Sequence, residues 1–259
     1  MSENPYESPK VDEVSVAPPQ RASYRKLWWW LGIIASVVLV IALLLPAVRT
    51  APEAARRVAC RNHLHQIGIA LYKYEKEYGC LPPAYTVDAN GRPLHSWRTL
   101  LLPYLGYEGL YRQIDLSKPW DHPDNRKALK TEVDVYHCPS VEDTTPGYTT
   151  YLAIVSDKSC LQPGKPRKLS EIDDSLQFTI IVVDVDARNA VPWMSPRDAS
   201  EYLVLGMLKS HTTPHPGVIQ VLFVDGSVQC IGQNVNPRTW RALMTATGHD
   251  NKVIDRDGF

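Results

Sequence analysis

The feature that most constrains this sequence is an apolar stretch near its N-terminus, residues 27–45, which contains no charged residue. A helix needs roughly 20 apolar residues to cross the ~30 Å hydrocarbon core of a bilayer, and lipid leaves other backbone states unsatisfied. Trp28, Trp29 and Trp30 stand at one end, as in an aromatic belt at a membrane interface. The stretch therefore predicts a membrane-spanning helix. The alternative is a buried core helix, which rarely stays apolar on all sides.

A second helical pattern follows the apolar stretch. Its apolar positions recur at spacings of four and three, which place them on one helix face: Cys60, Leu64, Ile67, Leu71, Tyr74 and Tyr78. Gly79 stands where a helix C-terminus is expected. Pro46 and Pro52, between the two patterns, should kink or interrupt the helix because each removes a backbone N–H. We expect an amphipathic stem whose apolar face packs on the rest of the chain.

These patterns predict three parts. Residues 1–24 are polar and lack apolar periodicity, which is typical of a disordered tail. Residues 25–49 form the transmembrane anchor, and residues 50–259 form one domain large enough for its own core. A short tail before a single anchor favours an uncleaved, single-pass protein of the cytoplasmic membrane with its domain outside the cytoplasm. The expected partners are the membrane and other envelope proteins.

The charge balance argues against nucleic acid as a partner. Lys and Arg total 28, Asp and Glu also total 28, and no basic cluster with interleaved aromatic residues occurs. The 21 prolines indicate a fold rich in loops.

The five cysteines leave two interpretations open. None forms a C-x-x-C pair, and no Cys/His spacing is typical of zinc, so neither a metal site nor a cofactor is predicted. Cys60, Cys80, Cys138 and Cys160 are candidates for disulfides in an oxidising compartment. The alternative is that the cysteines are buried free thiols.

Strand patterns occur only in the second half of the chain. They cover residues 133–137, 149–155 and 178–183, followed by 218–224 and 227–231. Asp225-Gly226 between the last two predicts a hairpin turn, and a closing helix is expected over residues 237–247. The stem together with these strands predicts an α+β fold.

Several short blocks, in order, resemble a known family. The C-terminal block is His215, followed after nine residues by Asp225-Gly226. Further blocks are Ser96-Trp97-Arg98, Pro119-Trp120-Asp121, Tyr136-His137-Cys138-Pro139-Ser140 and Val191-Pro192-Trp193, together with Cys60 and its neighbours. From about residue 43 to the final helix, the chain resembles a planctomycete family of pilin-like proteins of unknown function. Some classifications place that family near bacterial solute-binding proteins.

The resemblance implies a pilin-like fold related to type II secretion pseudopilins, with a long membrane helix and a stem packed on an antiparallel sheet. It marks signature positions to which we assign structural roles: His215, Asp225, Gly226, Trp97, Pro119, Trp120, Cys138 and Pro139. The chain departs from the family at its N-terminus, where the processing Gly and the early Glu of the apolar run are missing. This departure favours a stand-alone anchored domain over a filament subunit.

Acid–base or metal chemistry would need His215 beside one of Asp184, Asp186 or Asp225. The Asp225-Gly226 turn already accounts for an aspartate at this position. The predicted strand of residues 218–224 should separate Asp225 from His215 by about 20 Å or more. Asp184 and Asp186 could instead contribute to a calcium site, as in some pseudopilins. No nucleophile elbow, zinc-protease motif or phosphate loop occurs, so we predict that the protein is not an enzyme.

The predicted function is that of a membrane-anchored, non-enzymatic envelope protein serving as an interaction or assembly module. The alternative is an anchored module that binds a sugar or peptide in an aromatic cleft formed by Trp97, Trp120 and Trp193. The competing interpretation places these three rings in the core.

Overall fold

The computed structural model describes residues 24–141, 145–210 and 212–248. It divides the chain into two compact units, Met1–Arg49 and Thr50–Phe259. The tail predicted for residues 1–24 lies outside the described residues except for Tyr24. The side chains of residue 25 and of residues 42–52 also lie outside them.

Six α-helices occur in the described residues. They are α1 (Tyr24–Tyr78), α2 (Trp97–Leu101), α3 (Glu108–Tyr111), α4 (Arg126–Leu129), α5 (Glu201–Ser210) and α6 (Pro237–Leu243). The interruption predicted at Pro46 and Pro52 is wrong, because α1 is helical throughout. Each proline removes only one backbone N–H, and the helix continues through both positions.

The predicted membrane span is not found. Across the described residues, no helix is both long enough and apolar enough to cross a membrane. Residues 42–45, the end of the stretch that carried the prediction, have side chains outside the described set. The described apolar side chains before them are exposed, with Trp28, Trp29 and Trp30 at 65–75%.

The strands form one larger sheet and two small ones. They are β1 (Tyr85–Val87), β2 (Pro93–Ser96), β3 (Tyr148–Thr149), β4 (Tyr151–Ala153), β5 (Ile180–Asp184), β6 (Val191–Pro192), β7 (Val218–Phe223) and β8 (Val228–Gly232). The larger sheet has the order β4-β5-β7-β8, and β1 pairs with β2 and β3 with β6. All these pairs are antiparallel, so the α+β prediction with an antiparallel sheet is confirmed.

The predicted hairpin is confirmed as β7 and β8. Asp225 Oδ1 accepts hydrogen bonds from the Ser227 amide at 2.9 Å and the Ser227 hydroxyl at 2.6 Å. Gly226 adopts a φ of 86°, which a residue with a side chain rarely adopts.

The strand predicted over residues 133–137 is wrong. Asp134–Tyr136 forms a 3-10 turn there, with the consecutive residues Val135 and Tyr136 both buried, which a strand with one buried face does not allow.

The larger sheet is covered on both faces. On one face, Leu64, Ile67 and Leu71 of α1 share a buried cluster with Ile181 and Leu222. On the other face, side chains from β5, β7 and β8 share a second cluster with α5 and α6. The predicted packing of the stem against the sheet is therefore confirmed.

Candidate functional site

Four side chains with metal-binding atoms meet in the interior of the second unit. They are Cys60, Cys138, Asp184 and His215, each 0–1% exposed. One ligand atom from each lies within 4.8 Å of the others. We call these residues the four-residue cluster.

The distances within the cluster are close to hydrogen-bonding range. Cys60 Sγ donates to Asp184 Oδ2 at 3.2 Å. His215 Nε2 lies 3.6 Å from the same oxygen and 3.8 Å from Cys138 Sγ. The imidazole therefore faces the two thiols and the carboxylate with its Nε2 atom.

A second layer of polar groups orients the cluster. Nδ1 of His215 lies 2.8 Å from Glu53 Oε1 and 3.2 Å from Ser140 Oγ. The Ser140 hydroxyl in turn donates to Glu53 Oε2 at 3.0 Å. Thr150 Oγ1 donates to Asp184 Oδ1 at 2.6 Å, which leaves Oδ2 directed at the thiols.

Local structure explains why these residues converge. Cys60 belongs to the buried face of α1, and Asp184 lies two residues after Val182, which packs in the same cluster as α1. His215 begins a tight turn in which the Val218 amide donates to its carbonyl at 3.2 Å, with Gly217 at a φ of 78°. The four residues thus come from α1, the segment after the 3-10 turn, the end of β5 and the segment before β7.

The close contacts shift the pKa values of the cluster in opposite directions. The hydrogen bond with Cys60 lowers the pKa of Cys138 despite its burial, and His215 adds to this effect. Burial, together with Cys138 and Asp184, raises the pKa of Cys60. Burial also raises the pKa of Asp184 well above its usual range. Of the two thiols, Cys138 is therefore the more acidic.

Two opposing effects act on the pKa of His215. Burial lowers the pKa of His215, but its hydrogen bonds with Cys138 and Glu53 outweigh burial, so the net shift is upward. Both nitrogens of the ring thus have acidic neighbours.

The three aspartates considered from the sequence have different surroundings. Asp184 is the one that lies beside His215. Asp225 is exposed in the turn at the far end of β7, so it forms no pair with His215. Asp186 bonds Arg188 and Thr212, whereas Asp184 bonds Thr150 and Cys60, so the two carboxylates have separate partners and the calcium interpretation gains no support.

The disulfides considered from the sequence are not formed, because all five cysteines are free thiols. Cys60 and Cys138 lie together in the cluster, Cys160 is buried elsewhere, and Cys80 is only partly buried. Spacing along the chain could not reveal the cluster, because Cys60 and Asp184 are 124 residues apart and Cys138 and His215 are 77 apart. The available signal was that Cys60, Cys138 and His215 all fall in the sequence blocks on which the family resemblance was based.

Of the three tryptophans considered for an aromatic cleft, the structure places two in the core, which is the competing interpretation. Trp97 and Trp193 are 0% and 1% exposed and belong to the core. Their indole N–H groups donate to Asp198 Oδ1 and to the Thr131 carbonyl, both at 3.1 Å. Trp120 packs on the same core and is partly buried. The Pro119 carbonyl beside it accepts a hydrogen bond from Asn125 at 3.0 Å.

A different concave surface lies between α1 and the β7–β8 hairpin. This cleft has a volume of about 420 Å³. Its lining includes the apolar side chains of Ile69, Tyr72, Leu169 and Val224, together with Gly68. Polar groups at the cleft include His65, Lys73, Glu75 and Asp225. A cleft of this size and composition can take a small ligand with an apolar body.

A comparison with protein families gives a match over part of the chain. Residues 49–174 match a family model described as a protein of unknown function (DUF1559), whose short name, SBP_bac_10, carries a solute-binding label. No curated protein and no solved structure matches the chain at a significant level. The matched segment contains Cys60 and Cys138 and ends before Asp184 and His215. Over that segment, the chain is similar to a family of unknown function filed with solute-binding proteins.

Proposed function

We propose that this chain is a non-enzymatic binding module that takes a small, mainly apolar solute or peptide side chain. The cleft between α1 and the β7–β8 hairpin carries this proposal. Its volume of about 420 Å³ falls within the range typical of ligand sites, roughly 300–1,000 Å³. The solute-binding label of the matching family model agrees with it.

The lining of the cleft supports an apolar ligand. Tyr72 and Ile69 are 65% and 43% exposed, so their apolar surface faces solvent and would gain free energy on being covered. Lys73, Glu75 and Asp225 at the cleft could orient a polar end of the ligand. The aromatic cleft considered from the sequence would suit a sugar or peptide, and the apolar lining of the cleft between α1 and the β7–β8 hairpin favours the peptide.

The absence of enzymatic activity is part of the same proposal. The four-residue cluster holds the thiols and imidazole best suited to chemistry, yet its members are 0–1% exposed. A substrate would have to reach them through the packed interface of α1 and the sheet. Binding at the cleft requires no such rearrangement.

The cleft can be tested by dye and ligand binding to the full-length protein. An apolar fluorescent dye such as 1-anilinonaphthalene-8-sulfonate should bind, and Ile69→Glu should weaken its binding at least about tenfold, because a carboxylate is costly to cover with an apolar ligand. Val58→Glu is the matched control, since Val58 is exposed on α1 and does not line the cleft. Equal weakening by both variants would contradict the proposal.

We also propose that the first unit attaches the chain to the cytoplasmic membrane, with the second unit outside the cytoplasm. The support is the uncharged stretch of residues 27–45 and the exposure of its described apolar side chains, including Ile34 and Leu39 at 56% and 61%. Apolar surface of this kind is stabilised by contact with lipid. Other envelope proteins are the partners expected for such a location.

A further inference from the structure

We propose that Cys60, Cys138, Asp184 and His215 bind a structural Zn²⁺ ion with tetrahedral coordination. This proposal goes beyond ligand binding at the cleft and rests on a different set of residues.

The donor set is the first argument. Two sulfurs, one imidazole nitrogen and one carboxylate oxygen are all atoms that bind Zn²⁺ in proteins, and four protein ligands are the number found in structural zinc sites. Calcium and magnesium prefer oxygen ligands alone, which this cluster does not offer. Thiolate and imidazole together favour zinc among the common divalent ions.

The distances are the second argument. With Zn–S at about 2.3 Å and Zn–N or Zn–O at about 2.0–2.2 Å, tetrahedral geometry places neighbouring donors about 3.3–3.8 Å apart. The separations from Asp184 Oδ2 to Cys60 Sγ and to His215 Nε2 are 3.2 and 3.6 Å, and that from His215 Nε2 to Cys138 Sγ is 3.8 Å. Three edges of the polyhedron thus already have nearly the right length.

The third argument is that Glu53 and Thr150 contact the cluster from its outer side. A zinc-bound histidine commonly donates its second N–H to a carboxylate, which fixes the tautomer and the orientation of the ring. Glu53 occupies that position at 2.8 Å from Nδ1, and Nε2 faces the other donors. Thr150 holds Oδ1 of Asp184, so Oδ2 remains directed at the proposed ion. An ordinary hydrogen-bonded core cluster would not require this separation of inner and outer atoms.

The charge of the site is the fourth argument. Two thiols and a carboxyl group are buried together, and the contacts described for them include no Lys or Arg side chain. As metal ligands, the thiols and the carboxyl group would lose their protons, and buried anions are costly unless a metal compensates their charge. A divalent ion bound to both thiolates would supply that compensation at the point where the donor atoms converge.

The burial of all four ligands indicates a structural rather than a catalytic ion. A catalytic zinc keeps one position open for water or substrate, whereas here four protein ligands are 0–1% exposed. The ion would join α1 to the end of β5, to the segment after the 3-10 turn, which carries Cys138, and to the segment before β7, which carries His215. Because the unfolded chain does not hold these ligands together, zinc binding would stabilise the folded domain.

The test uses the reduced full-length chain. Dialysis against Zn²⁺ followed by elemental analysis should give about one ion per chain, and Co²⁺ should give the visible bands of a tetrahedral site with thiolate charge transfer. Cys60→Ser and Cys138→Ser should lose the stoichiometric ion and the charge-transfer band. Cys160→Ser and Cys230→Ser are the controls for a buried and an exposed thiol outside the cluster, and both should keep the ion.

A second measurement covers the case in which a cysteine variant does not fold. Asp184→Asn keeps the size of the side chain and its acceptor for Thr150, and it should bind Zn²⁺ at least about tenfold more weakly. Chelation should lower the thermal midpoint of the wild-type chain, and added Zn²⁺ should restore it. Folded, reduced wild-type chain without stoichiometric Zn²⁺ would overturn the proposal, as would full retention of the ion in both Cys60→Ser and Cys138→Ser.

Discussion

At the scale of single residues, Arg98 shows how a buried charge is accommodated in this fold. Its guanidinium is 0% exposed and forms an ion pair with Asp198 at 2.6 Å. The remaining N–H groups donate to carbonyls of four residues, namely Tyr151, Trp193, Ser195 and Arg197. The resemblance block Ser96-Trp97-Arg98 therefore has a structural role, in which one side chain holds three segments together.

We predict that Arg98→Lys lowers the free energy of unfolding by about 3–5 kcal/mol. An ammonium cannot reproduce the planar arrangement of donors, so buried carbonyls would lose their partners and Asp198 would lose its close ion pair. Urea unfolding measures the change. The control is Arg241→Lys, because its ion pair with Glu201 is about half exposed and should contribute little. A similar loss in both variants would contradict the assignment.

His95 should make stability depend on pH. The ring is buried, and burial lowers the pKa of His95 below 6.5, although its hydrogen bond to the Lys118 carbonyl and the nearby Asp115 oppose the shift. Because the pKa is lower in the folded chain, the unfolded chain binds the proton first as the pH falls. The contribution of His95 to stability is therefore present above about pH 6.5 and is lost as the pH falls below it.

The measurement is urea unfolding of the wild-type chain and of His95→Gln at about pH 7 and about pH 5. The wild-type chain should lose more stability on acidification than the variant, because glutamine does not titrate. His65→Gln, at an exposed position, serves as the control. Identical losses for the wild type and His95→Gln would show that His95 does not carry the dependence.

At the scale of elements, α1 organises the second unit through one buried face. Leu64 and Ile67 are fully buried, while Val58 is 58% exposed on the same helix. Gly68 permits the close approach of the sheet, since a Cβ there would lie 3.0 Å from Leu222 Cδ1. The part of α1 in the second unit is thus held by the apolar contacts of Leu64 and Ile67 and, on our proposal, by zinc at Cys60.

Leu64→Ala should lower the free energy of unfolding by about 2–5 kcal/mol, because it removes buried methyl groups and leaves a cavity in a packed interface. Val58→Ala should change it by less than about 0.5 kcal/mol, since that side chain is largely exposed. Chemical denaturation of both full-length variants provides the comparison. A small effect of Leu64→Ala would mean that the stem does not stabilise the domain.

At the scale of the whole molecule, the sequence predicts local structure but does not predict which residues from distant segments come into contact. The helical stem and the Asp225 turn were predicted because spacing and turn chemistry are encoded by neighbouring residues. The four-residue cluster could not be predicted, because its donors come from four distant segments and only the sheet brings Asp184 beside Cys60. The burial of Trp97 could not be predicted for the same reason, because a sequence does not show whether a tryptophan ring lines a cleft or packs in the core.

The four-residue cluster and the cleft both include residues of α1, but these residues lie at different positions along the helix. Cys60 and Gly68 are eight residues apart, which corresponds to about 12 Å along an α-helix. Zinc at the cluster would fix the helix against β5, and the cleft lies further along, beside the β7–β8 turn. Loss of zinc and loss of ligand binding can therefore be measured separately.

The proposed membrane attachment leads to the last prediction. In intact spheroplasts of a bacterial host, an added protease should degrade residues 50–259, while a cytoplasmic marker stays protected. The chain should also remain with the membranes after a carbonate wash. Ile34→Arg and Val38→Arg together should release it, because each arginine costs about 2.5–3.5 kcal/mol in the centre of a membrane helix. Val58→Arg, in the second unit, should leave the chain attached. Protection of the domain from the protease would show that it does not lie outside, and release of the wild-type chain by carbonate would show that the apolar stretch does not anchor it.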